Sequence, residues 1–183
     1  MKNKGLADNT IYSKSHNNRY RYSLGTKGKN TLYCIGINPS TATPENYDNT
    51  IKKVRNVSRE KGFDSFVMLN IYPLRATDPD NLPEMPDWSI HKTNVKTILG
   101  LIKNGSTVWA AWGNSISKRP WLTECRDDMF NALQKMKKNI CFVRMGDLTV
   151  KKQPRHPLYC PITEFLPFTS PNSSHYNYAG VQK

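Results

Sequence analysis

The chain has 183 residues, a length that fits one domain with a sizeable core, and its 27 Lys+Arg against 14 Asp+Glu give a net charge of +13. Such a field attracts polyanions, so nucleic acid is the expected partner. Membrane spanning is excluded, because no apolar run approaches the roughly 20 residues a bilayer requires. No basic amphipathic helix with a strong apolar face speaks for a membrane surface either. Residues 1–16 are polar and lack the apolar core of a signal peptide, so a cytoplasmic protein is expected. Cys34, Cys125, Cys141 and Cys160 lie far apart without a Cys-x-x-Cys pair, which agrees with a reducing compartment. The four His residues show no ligand spacing, so neither a metal nor another cofactor is expected. A monomer is favoured, although the sequence does not fix the oligomeric state.

In chain order, residues 1–18 read as a flexible basic segment. Arg19–Leu24 alternates Arg and Tyr with smaller residues, as a strand does. Thr26–Asn30 reads as a hairpin-like turn into a second strand, Thr31–Ile37, which Pro39 ends because it lacks an N–H. Asp48 suits the cap of a helix running to Lys61, with Ile51, Val54 and Val57 inward and Lys52, Lys53, Arg55, Arg59 and Lys61 on the other faces. Ser65–Asn70 is the next strand, followed by a loop rich in Pro and Asp. A helix over 89–103 carries Val95, Ile98, Leu99 and Ile102 as one stripe. Thr107–Trp112 is a further strand. Pro120 opens a helix reaching Lys137, with Leu122, Cys125, Met129, Leu133 and Met136 inward. Ile140–Met145 is the last strand, and residues 161–183 read as an irregular tail. Apolar strands alternating with helices predict an α/β domain over 19–160 with helices on both faces of the sheet.

Four segments then fall at strand C-termini, where ligands bind in open α/β sheets. The first is Gly36-Ile37-Asn38-Pro39-Ser40, which presents Asn38 at a strand end. The second runs from Leu69 to Thr77 and contains Asn70, Tyr72 and Arg75. An Asn amide offers a donor beside an acceptor, which matches a base edge, and it equally well caps a loop backbone. The third is Ala111-Trp112-Gly113. The fourth, Pro154 to Tyr159, contains Arg155 and His156. Arg75 and Arg155 are candidates for phosphate contacts, with surface pairing to Asp78 or Asp80 as the competing role. His156, held by the following Pro157, can donate a hydrogen bond to charge developing on a leaving group. Tyr47 and Tyr72 are candidates for stacking on a base, or for ordinary loop packing.

Taken in order, Gly-Ile-Asn-Pro, strand-Leu-Asn, Trp-Gly and His-Pro resemble the motifs of the uracil-DNA glycosylase superfamily. The first motif is most similar to that of the mismatch-specific thymine/uracil branch, with Ser40 in place of its second Gly. The fuller pattern, Asn-Pro-Ser-Thr-Ala through Arg-Ala-Thr-Asp-Pro to Arg-His-Pro-Leu-Tyr, resembles a widespread uncharacterised bacterial and phage family. The resemblance implies a three-layer α/β/α sandwich around a mainly parallel sheet of four to five strands. It implies hydrolysis of the N-glycosidic bond of a modified, damaged or mismatched base. The alternative is a module on the same fold that binds nucleic acid or nucleotide without catalysis. Under the resemblance Asn38 positions the hydrolytic water, Asn70 reads the base edge and His156 stabilises the departing base. Gly36, Pro39 and Ser40 of the first motif are candidates for substrate binding, and Leu158 is a candidate wedge. Asp48 is a stronger base than Asn38, with helix capping as its other role. The sequence departs from the superfamily at Ser40-Thr41-Ala42, where the uracil-specific enzymes carry a Tyr, and at Leu158-Tyr159, where Ser residues are usual.

Overall fold

A computed structural model describes residues 9–169 of the chain. At its centre are strands with almost no polar positions. β3 (Thr31–Gly36) and β4 (Ser65–Asn70) are buried along nearly their whole length. Only strands covered on both faces read this way. They pair in parallel, from Thr31 opposite Ser65 to Gly36 opposite Asn70. β5 (Thr107–Ala110) joins the other side of β3, and β6 (Cys141–Met145) joins β5, both in parallel. Antiparallel strands flank this group. β2 (Arg21–Thr26) pairs with β4, β1 (Thr10–Lys14) with β2, and β7 (Phe165–Pro167) with β6. The order across the mixed seven-stranded sheet is β1-β2-β4-β3-β5-β6-β7.

The crossover helices follow from this order. α1 (Asn49–Glu60) joins β3 to β4, whereas α2 (Trp88–Leu101) carries the chain back past β3 to β5 and α3 (Pro120–Lys135) continues in that direction to β6. Right-handed crossovers running in opposite directions must lie on opposite faces. Accordingly, the sheet separates two cores. Leu32, Cys34, Phe66 and Met68 pack with Ile51, Val54 and Val57 of α1. Tyr33, Ile35, Val67 and Leu69 pack with Val95 and Ile98 of α2 and Leu122 and Met129 of α3. The chain leaves β3 toward one face and leaves β4 and β5 toward the other, which opens a crevice at the end of β3.

The expected α/β class is present, and the sheet is wider than the four to five strands expected. β1 lies in the segment read as flexible, and β7 in the segment read as an irregular tail. Both are short edge strands, and β7 ends in Pro167, so neither carries the apolar run of a central strand. Residues 1–8 and 170–183 of those two segments lie outside the described residues. Thr26–Asn30 does not close a hairpin, because β4 stands between β2 and β3. The Asp64 carboxylate, just before β4, accepts from Lys29 N and Asn30 N, both at 3.0 Å, and ties the turn to β4 instead. Met136 is exposed rather than inward, since α3 ends at Lys135.

Ile35 is 0% exposed at the centre of the α2/α3-side core. Ile35→Ala is expected to lower unfolding stability by about 2–5 kcal/mol in urea titration. Val150→Ala, at a fully exposed position, should stay within about 0.5 kcal/mol of the parent.

Candidate functional site

The chain segments after β3, β5 and β6 surround a cleft of ≈ 730 Å³ at the C-terminal edge of the parallel strands. Clefts of about 300–1,000 Å³ are the usual size for small ligands. Gly36, Asn38 and Ser40 line its β3 side, and Asp48, Asn49 and Thr50 at the start of α1 form one wall. Gly113 and Asn114 follow β5, and Arg155, His156, Leu158 and Tyr159 close the side beyond β6.

The first motif is held by the second. Beyond the strand ends, pairing continues from Ile71 N to Gly36 O at 2.9 Å, Tyr72 N to Ile37 O at 3.0 Å and Ala76 N to Pro39 O at 2.8 Å. Asn38 Nδ2 donates to the Ala76 carbonyl at 2.7 Å and to those of Pro39 and Leu74 at 3.2 and 3.4 Å. Its amide is thereby oriented, which leaves Oδ1 as the group it can offer a ligand or water. Ser40 Oγ bonds Thr77 Oγ1 at 3.2 Å. Arg75 donates to the carbonyls of Ser40 and Ala42 and to Tyr12 Oη. A Cβ at Gly36 would stand 2.5 Å from Met68 Cε and 3.1 Å from Asn70 Oδ1, so the Met68 side chain would have to shift to admit it.

Asp48 caps α1, its Oδ1 accepting from Ile51 N at 2.9 Å. Across the cleft, His156 Nδ1 accepts from Leu158 N at 3.3 Å, which assigns the ring proton of the neutral form to Nε2. Burial pulls His156 below its ordinary value of 6.5, and the charge of Asp48 pulls the other way. Gly113, at φ +67°, passes under this loop, and a Cβ on it would lie 3.1 Å from His156 Cβ. Gly113 N also bonds Pro154 O at 2.9 Å, and Trp112 Nε1 bonds Gln153 Oε1 at 3.0 Å. The third motif therefore supports the fourth. Leu158 and Tyr159, 45% and 77% exposed, form an apolar lip on the cleft.

The cleft thus collects Gly36, Asn38, Ser40, Asp48, Arg155, His156 and Leu158 of the expected residues. The others lie elsewhere. Tyr72 is buried in the α2/α3-side core against Trp121, ring centroids 4.7 Å apart, and its hydroxyl accepts from Asp87 N. It cannot stack on a ligand in the cleft. Tyr47 packs edge-on against Phe66 and borders a separate shallow groove with Lys52 and Arg55. Pro39 is buried and serves through its carbonyl. Arg75 is a clamp on the first motif rather than a group facing the cleft. Asn70 is 1% exposed beneath the floor, with neither amide atom hydrogen-bonded. It does not present an edge to a ligand in this arrangement.

Arg21 was not anticipated. It lines the cleft at 2% exposure, and Nη1 donates to Ala42 O at 3.1 Å. Burial, and then neighbouring Arg75, lower it to about 10, against an opposing pull from Asp48, so it remains a cation at neutral pH. In a regular strand Arg21 would face away from Leu24. The pairing shifts from Ser13 opposite Ser23 to Lys14 opposite Arg21, which makes Tyr22 an extra residue. This bulge turns Arg21 to the α1 side. Tyr159 was also passed over, although it ends the His-Pro-Leu-Tyr motif. Among the described residues no group of three or more His, Cys, Asp or Glu could hold a metal ion, and no helix is long and apolar enough to cross a membrane.

By class this is an α/β protein with a ligand-sized cleft at the C-terminal edge of its parallel strands. The chain matches a family described as a protein of unknown function (DUF1643) over residues 21–158, and it belongs to that family. No curated protein and no solved structure matches it. Of the cleft residues named here, only Tyr159 falls outside the matched span.

His156 followed by NMR should titrate below 6.5, with nitrogen shifts of the Nε2–H tautomer. Because the Asp48 carboxylate favours the imidazolium, Asp48→Asn should move the midpoint lower still. A midpoint at or above 6.5, or an upward move in the variant, would contradict this account of the site.

Proposed function

We propose that this protein hydrolyses the N-glycosidic bond of a modified, damaged or mismatched base, with DNA as the source of that base. The observation that carries the reading is the convergence of Asp48, Asn38 and His156. They come from a helix start, a strand end and a distant loop, and all three line one cleft. Asp48 takes a proton from water that Asn38 Oδ1 helps to orient, and the water oxygen attacks the anomeric carbon. The C–N bond breaks with its electron pair leaving on the base. His156 Nε2–H donates a hydrogen bond to the oxygen of that anionic base, where charge develops in the transition state. A neutral donor suits this task, and burial keeps His156 neutral. The proton held by Asp48 returns through solvent, so atoms and charge balance.

A helical wall rich in Lys and Arg supports DNA as the ligand. Lys52, Lys53, Arg55 and Arg59 lie on α1, whose first turn opens onto the cleft. A base paired in a duplex would have to be flipped out, at a cost of a few kcal/mol. Leu158 and Tyr159 on the lip are placed to fill the space it leaves.

Base release from oligonucleotides carrying uracil, mismatched thymine and modified pyrimidines tests the proposal. His156→Ala should slow release by about 10²–10³, the usual effect of removing one such donor, with DNA binding retained. Asp48→Asn should lose turnover while keeping the helix cap, since Asn caps as well as Asp. Salt-sensitive binding with no release from any of these substrates would overturn the hydrolase and leave a binding module.

A further inference from the structure

The steps above make no use of the charge at the β2 end of the cleft. Arg21 is 2% exposed, yet among the described residues no carboxylate pairs with it and Nε has no hydrogen-bond partner. A buried guanidinium is ordinarily paired, because desolvation of an isolated charge is costly. Here a second guanidinium, Arg75, stands beside it and adds like-charge repulsion. Arg155 is a second positive group on the cleft wall. Asp48 is the one acidic residue lining the cleft among the described residues, and one of its oxygens is engaged in the cap of α1. The first turn of the 12-residue helix α1 opens onto the same space through Asn49 and Thr50. Backbone N–H groups at such an end favour an anion. The bulge at Tyr22 aims Arg21 at this point, and bulges commonly re-aim a side chain beside a site.

We propose that Arg21 anchors an oxyanion subsite that takes a phosphate group of the ligand at the β2 end of the cleft. The planar guanidinium matches two phosphate oxygens at once. Sheet order sets β4, β3 and β5 between β2 and β6, so Arg21 and His156 serve opposite ends of one cleft. Asp48 lines the same cleft and acts electrostatically on both. A ligand with its phosphate at Arg21 and its base at His156 would hold its sugar beside Asp48, the order of a nucleotide. That last assignment rests on the base-release reading, whereas the anion subsite does not.

Inorganic phosphate at constant ionic strength is the first probe, with binding read by calorimetry and by the rise in Tm. The native chain should bind phosphate and melt later in its presence. Arg21→Met should lose both effects and, without phosphate, melt no earlier than the native chain, because it removes an unpaired buried charge. Arg21→Lys keeps the charge without the fork and should bind about 10- to 100-fold more weakly. It decides the matter if the Met variant fails to fold. Equal phosphate binding by native chain and variants, or none by the native chain, overturns the subsite. The source of the phosphate is read from two pairs of probes. Tighter binding of deoxyuridine monophosphate than of deoxyuridine assigns a free nucleotide. Tighter binding of a 5′-phosphorylated oligonucleotide than of its unphosphorylated twin assigns a strand end. Either preference, lost in Arg21→Lys, supports the subsite, and these readouts stand whether or not base is released.

Discussion

The arrangement of the cleft depends on a seam of hydrogen bonds that runs past the ends of β3 and β4. Parallel pairing normally stops where strands stop. Here the backbone of Ile71, Tyr72 and Ala76 continues alongside Gly36, Ile37 and Pro39. The seam fixes the Ala76 carbonyl, which in turn fixes the Asn38 amide, and it positions Arg75 to hold Ser40 and Ala42. Without it the first motif would be an exposed loop with several backbone conformations to lose on binding. The Trp112-Gly113 segment does the same for His156 on the far side. The first and fourth motifs therefore bring Asn38 and His156 to the cleft, and the second and third hold them in place.

Strand and helix identity was legible wherever the pattern was strong. β3, β4 and α1 announce themselves through buried runs, a 3.6-residue stripe and the Asp48 cap. The convergence of Asn38 and His156 was legible too, because strand C-termini share an edge in a parallel sheet, whereas Asn70, expected with them, lies beneath the floor. The edge strands were not, since half-buried polar sequences such as Thr10–Lys14 look like loops. Side chains that end on the wrong side of the sheet were the other loss. Tyr72 and Asn70 stand in the same segment and one of them is a core residue of the opposite face, which periodicity beyond a strand end does not report. Arg21 was hidden by a bulge, which adds a residue without leaving a mark in composition.

Of the seven buried side-chain polar atoms without partners among the described residues, four lie near the cleft. Arg21 Nε, Arg75 Nε and both amide atoms of Asn70 lie at or beneath the ends of β2 and β4. Each costs stability that an apolar residue of similar shape would not. A fold organised only for stability would fill these positions with Leu or Met, as it does along β3 and β4. Local conflict of this kind is common where structure has been fitted to a ligand.

The bulge at Tyr22 makes the electrostatics of the cleft a matter of chain length as well as residue identity. Period-two alternation means that giving Tyr22 a partner in regular pairing exchanges the faces of everything before it. A chain longer by one residue between Ser13 and Lys14 could pair β1 and β2 regularly, keep every charged side chain, and direct the guanidinium of Arg21 toward the opposite layer. Insertion and deletion in an edge hairpin, usually counted as neutral drift in loops and strand ends, would here act as a switch on what the cleft admits.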